Sequence, residues 1–95
     1  MIDKKLTFLA SEDLEAKEAQ YKLRERYRDF GVEKADVVVA LGGDGFMLQT
    51  LKNLSTKNVS VYGMNKGTVG FLMNTFIIDN LEERIHMAKE EIVNP

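Results

Sequence analysis

Apolar and polar positions follow two distinct rhythms along this chain. Leu6-Thr7-Phe8-Leu9-Ala10 is a short, mostly apolar run, and Val37-Val38-Val39-Ala40-Leu41, just after Asp36, is apolar throughout. Short apolar runs rich in β-branched residues suit strands covered on both faces, as in a parallel sheet. Between the two runs, apolar residues recur at Ala16, Ala19, Leu23, Tyr27 and Phe30, in steps of three or four, with Glu, Lys, Arg and Gln filling the gaps. That spacing predicts an amphipathic helix. Ser11 offers its N-cap, Glu12 and Asp13 stand where the helix dipole favours acids, and Gly31 marks its stop.

After Leu41 the run breaks at Gly42-Gly43-Asp44-Gly45. A second helix is predicted there, carrying Phe46, Met47, Leu48, Leu51 and Leu54. Val59-Ser60-Val61-Tyr62 reads as a third strand. A loop containing Gly63, Gly67 and Gly70 follows, with an apolar patch from Val69 to Met73. The last element is a helix opening at Asp79, where Glu82 completes an acidic version of the capping box. Leu81, Ile85, Ala88 and Ile92 form its apolar stripe.

The order β-α-β-α-β, loop, α predicts a Rossmann-like three-layer α/β domain, with a parallel sheet and right-handed crossovers. Ligands in such sheets bind beyond the carboxyl ends of the strands. Both glycine-rich loops follow strands directly, so both are expected at that end.

Composition narrows the picture in a few places. At 95 residues the chain is one domain, and its apolar share of 44% and charged share of 29% suit a globular protein. With no cysteine, disulfides and thiolate metal sites are excluded. The net charge of −2 comes with no basic stripe, so no nucleic-acid partner is expected. The apolar run near the N-terminus is too short for a signal-peptide core or a membrane span, which makes the cytoplasm the expected compartment, with no membrane partner.

The chemistry concentrates in the two loops. Glycines at positions 42, 43 and 45 free the backbone and leave no side chain to block a ligand. The turn opens a helix, whose first N–H groups lack intrahelical partners and favour an anion such as phosphate. Asp44 is the only charged group in the turn and has two readings. It is either a helix cap or a carboxylate placed to orient, or take a proton from, a sugar hydroxyl. In the second loop, Asn65 carries an amide suited to phosphate or ribose and Lys66 a point charge. Phe71 and Leu72 either wall an adenine or pack into the core. His86, Glu82-Glu83 and Glu90-Glu91 carry no convincing metal-ligand spacing, and Met47, Met64 and Met73 read as core filler.

Taken together, the motifs ALGGDGFMLQTL and VYGMNKGTVGFLMN resemble the NAD kinase family over residues 36 to 74. GGDG alone is shared with diacylglycerol-type lipid kinases and, in related form, with phosphofructokinases; the second motif separates them. Phe46 departs from the commoner pattern, which has Thr there, so a hydroxyl contact to phosphate would be missing. The resemblance implies transfer of the terminal phosphoryl group of ATP, or of polyphosphate, to the 2′-hydroxyl of the adenosine ribose of NAD, giving NADP, with Mg²⁺ accompanying ATP. It implies Asp44 as the catalytic proton acceptor. It implies Gly45 as part of the NAD site, and with Asp44 the candidate cofactor contacts are Gly43, Gly45, Asn65 and Phe71.

The resemblance also implies a homo-oligomer and a β-rich C-terminal domain that supplies an Asn-Glu or Asn-Asp motif, to which nothing here corresponds. Residues 1–95 are therefore expected to be the N-terminal α/β nucleotide-binding domain of such a kinase, inactive alone. The alternatives are a non-catalytic nucleotide-binding module and a lipid or sugar kinase domain sharing GGDG. Without a partner domain, the apolar residues Val69, Phe71, Leu72, Phe76, Ile77 and Ile78 are expected to self-associate, or residues 74–80 to be disordered.

Overall fold

A computed structural model describes residues 4–57, 59–65, 74, 75, 81, 83 and 85 of the chain. The elements run β1 (Leu6–Ala10), α1 (Leu14–Arg26), β2 (Val37–Leu41), α2 (Asp44–Asn53), β3 (Ser60–Asn65) and β4 (Asn74–Thr75). The strands form one sheet in the order β1-β2-β3-β4. Each pairing is parallel, with Leu6 beside Val37, Val37 beside Ser60 and Asn65 beside Thr75. The first two strands and the parallel α/β plan agree with the expectation.

All five residues of β2 are buried. The reason lies in the alternation of side chains across a strand. Val37, Val39 and Leu41 face a core shared with Phe8 of β1, Ala16, Ala19 and Leu23 of α1, Tyr62 and Met64 of β3, and Leu81 and Ile85. Val38 and Ala40 face the opposite core, with Val61 and with Met47 and Leu54 from the second helical segment. Leu81, Glu83 and Ile85 are helical, and the burial of Leu81 and Ile85 follows the predicted stripe. Ala88 and Ile92 of that stripe lie outside the described residues.

The helices therefore cover opposite faces, and this corrects one expectation. The steps β1→β2 and β2→β3 run the same way across the sheet. Two right-handed crossovers would then put both helices on one face, so the two connections have opposite hands. A strand that is apolar on both sides needs cover on both, and splitting the helices supplies it.

Helix α1 also differs at its ends. Its N-cap is Asp13, whose carboxylate accepts from the Ala16 N–H, and Ser11 instead donates its hydroxyl to Asp13 at 2.5 Å. These bonds, first from Ser11 and then from the Ala16 backbone, hold the Asp13 carboxyl below the ordinary carboxylate range. The C-cap is Tyr27, in extended conformation, rather than a residue near Gly31. The four-residue segment from Tyr27 leaves the helix because the edge of β1 offers better partners. Phe30 N–H donates to the Leu6 carbonyl, and Asp29 accepts from the Thr7 hydroxyl at 2.6 Å and from Phe8 N–H. The Gln20 amide donates to the Phe8 carbonyl. These contacts cover the backbone groups that an edge strand would otherwise present to another chain. Gly31 does adopt the left-handed conformation, at φ 82°, but in the turn leading to β2.

Candidate functional site

The carboxyl ends of β1, β2 and β3 come together through short backbone bonds. Ser11 N–H donates to the Leu41 carbonyl at 3.0 Å, and Gly42 N–H donates to the Met64 carbonyl at 3.1 Å. The register pairs Leu41 with Met64. The GGDG turn at the end of β2 and the start of the second motif at the end of β3 are thus stitched at one edge, as parallel topology requires of ligand-binding loops.

The second motif begins later than its sequence suggests. Gly63, Met64 and Asn65 continue β3 instead of opening a loop, with Gly63 beside Ala40. The buried partners on β2 extend the ladder past Tyr62. Asn65 is the last residue of β3 and is half-buried. Phe71, together with Lys66, Gly67, Val69, Gly70 and Leu72, lies outside the described residues, as do Phe76, Ile77 and Ile78. Within the segment expected to be disordered, Asn74 and Thr75 instead form β4.

The cap of α2 separates the two readings of Asp44. Gly43 is the N-cap, and no side chain caps the helix there. Asp44 is the first helical residue, half-buried, an acid in the first turn where the dipole favours one. The capping role considered for Asp44 is thereby assigned elsewhere.

The three glycines of the turn are not equivalent. At Gly42, φ is 157°, and an added Cβ would stand 3.0 Å from Ser11 Oγ and 3.1 Å from Cβ and Cδ2 of Phe46. The fold itself requires glycine at this position. At Gly43 and Gly45 an added Cβ would meet nothing within 4 Å among the described residues, and neither residue has a positive φ. Gly45 sits inside α2, where glycine is about 1 kcal/mol worse than alanine. Nothing in the packing of the described residues accounts for these two glycines, whereas room for a ligand against the backbone does.

A separate cleft of about 300 Å³ opens beside α2 at the β1 edge, bounded in part by Gln20 of α1 and by Phe46, Gln49 and Asn53. It is not lined by Gly43, Asp44, Gly45 or Asn65. Two roles escape the sequence pattern. Ser11 stands against Gly42 at the site edge rather than capping α1, and Thr50, which lines the separate cleft, is buried on α2 although its polarity argues for the wet face. The spacing of Thr50 from Met47 and Leu54 was the one signal that could have placed it.

A family model describing the ATP-NAD kinase N-terminal domain matches residues 1–91. An NAD kinase of Cereibacter sphaeroides is 50% identical over 95 residues, covering 100% of this chain and 37% of that protein. An NAD kinase of Caulobacter vibrioides is 48% identical over 91 residues, covering 96% of this chain and 35% of the relative. One from Rhizobium meliloti is 51% identical over 90 residues, covering 95% and 35%. The chain thus spans little more than a third of the length of these relatives. No solved structure matches it. With matches running through both strand-end motifs and nearly the whole chain, the protein belongs to the ATP-NAD kinase N-terminal domain family.

Proposed function

We propose that this chain is the nucleotide-binding part of a cytoplasmic kinase. The reaction transfers the terminal phosphoryl group of ATP, or of polyphosphate, to the 2′-hydroxyl of the adenosine ribose of NAD. The observation that carries this reading is the pair Gly43 and Gly45, which no packing among the described residues requires to be glycine, flanking Asp44 at the mouth of α2. The names of the relatives support NAD as the acceptor.

In this reading Asp44 accepts the proton of the ribose hydroxyl as its oxygen bonds to the terminal phosphorus and the bond to the leaving phosphate breaks. The open backbone at Gly43 and Gly45 lets the dinucleotide approach, the Asn65 amide contacts ribose or phosphate, and Phe71 walls the adenine. Among the described residues no three acidic or histidine side chains form a metal cluster. A magnesium ion accompanying ATP would be held mainly by the nucleotide's phosphates. Bound there, the ion would shield phosphate charge. The remaining length of the relatives supplies the rest of the site, and the working form is a homo-oligomer. Among the described residues no helix is long and apolar enough to cross a membrane.

The test is production of NADP from NAD and ATP by the full-length protein. The 95-residue chain alone should give none; NADP formation above an Asp44→Ala control would show that this domain is sufficient. Gly45→Ala gives a second check. It should raise stability by about 0.5–1 kcal/mol in thermal melts, because it relieves a helical glycine, while weakening NAD binding in the full-length protein. Unchanged NAD affinity would remove the argument from the two glycines.

A further inference from the structure

Directly after GGDG, Phe46 of α2 folds its side chain back over the turn. The Cβ and Cδ2 atoms of Phe46 both lie 3.1 Å from the point where a Gly42 Cβ would stand, so the residue packs directly on the bare Cα of Gly42. Ser11 Oγ lies 3.0 Å from the same point, and the Gly42 N–H is tied to the Met64 carbonyl. Gly42 is therefore held by Ser11 just after β1, by β3 and by Phe46, while no described residue closes on Gly43 or Gly45. Asp44 lies between the braced glycine and Phe46, and its helix has no side-chain cap to hold the turn.

We infer that Phe46 is a positioning residue: packed on Gly42, its ring fixes the turn and through it the place of Asp44. This rests on the reading that Asp44 accepts the proton. It also gives the position a purpose in a sequence where the hydroxyl of the commoner residue is missing. The ring acts on the Gly42 side of the turn and leaves the side of Gly43 and Gly45, where the dinucleotide is read, unchanged. Its loss should therefore appear in the rate more than in substrate affinity.

The test uses Phe46→Ala and Phe46→Leu in the full-length protein. Phe46→Ala should lower kcat by about tenfold to a hundredfold, the scale of a misplaced catalytic group, with the KM for NAD little changed. Phe46→Leu, which keeps bulk over Gly42, should recover most of the rate. Amide exchange gives a readout independent of activity. In Phe46→Ala the amides of Gly42 and Met47, which donate to the Met64 and Gly43 carbonyls, should exchange faster, while those of Val38 and Val39 in β2 stay protected. A wild-type kcat in Phe46→Ala, or turn amides exchanging as in wild type, would overturn the inference. A wild-type protein that makes no NADP overturns the functional reading instead, and the exchange comparison still decides whether Phe46 holds the turn.

Discussion

Replacing Asp44 with asparagine in the full-length protein should cut NAD phosphorylation by at least about a hundredfold, the lower end for loss of a positioned general base, while the melting temperature barely moves. The structure makes these two effects separable. The cap of α2 is the backbone of Gly43, so the asparagine removes no cap. What it removes is the favourable interaction of one acid with the first turn of a helix, about 0.3–1 kcal/mol. Asparagine keeps the size and a carbonyl oxygen but cannot take up the hydroxyl proton. Steady-state kinetics paired with thermal melts on the same preparations decide the matter. A near-normal rate would leave Asp44 with a role in the helix terminus only.

Asp29→Asn should produce the opposite pattern, a loss of stability with the site chemistry intact. Asp29 accepts from the Thr7 hydroxyl at 2.6 Å, Phe8 N–H at 3.4 Å, Gly31 N–H at 2.9 Å and Arg24 Nε at 2.8 Å. Burial by itself would push its carboxyl up. The bonds from Thr7, Arg24, Gly31 and Phe8 together outweigh burial and hold it below the ordinary value of 3.8. Asparagine offers one acceptor in place of two and turns an NH₂ toward donors, leaving groups unpaired at a cost of about 2–3 kcal/mol. For a domain of this size that corresponds to a drop of roughly 10–20 °C in Tm. The pH dependence follows from the lowered carboxyl. Its stabilisation is fully present above the unfolded carboxylate value, about pH 4, and fades as pH falls through the lower folded value. Melts of wild type and Asp29→Asn should therefore converge as pH falls from about 5 toward 2. A gap as wide in acid as at neutrality would mean that the ionised carboxylate is not what secures the β1 edge.

These two aspartates mark the boundary between what local pattern reveals and what it hides. Asp44 stands out as a candidate in the sequence because its neighbours are glycines after an apolar strand, a combination whose chemistry is local. Asp29 carries no such mark. Its partners Thr7 and Phe8 are far away in sequence, and it gains its role only because helix α1 ends early and the chain returns along β1. The apolar spacing at Tyr27 and Phe30 continues the helical rhythm, yet both are drawn elsewhere, Phe30 by the Leu6 carbonyl and Tyr27 by a bond from Leu81 N–H to its hydroxyl.

By itself the sequence determined the parallel α/β plan, the bounds of β1 and β2, the buried stripe of α1 and the turn that holds Asp44. Each depends on side-chain periodicity or on backbone freedom at glycine, properties of neighbouring residues. The tertiary structure alone decided that β3 runs on to Asn65, that the helices take opposite faces of the sheet, and that Phe46 and Ser11 close on Gly42 while Gly43 and Gly45 stay open. Those outcomes depend on which distant groups satisfy a backbone bond or fill a space. That competition exists only once the sheet has formed.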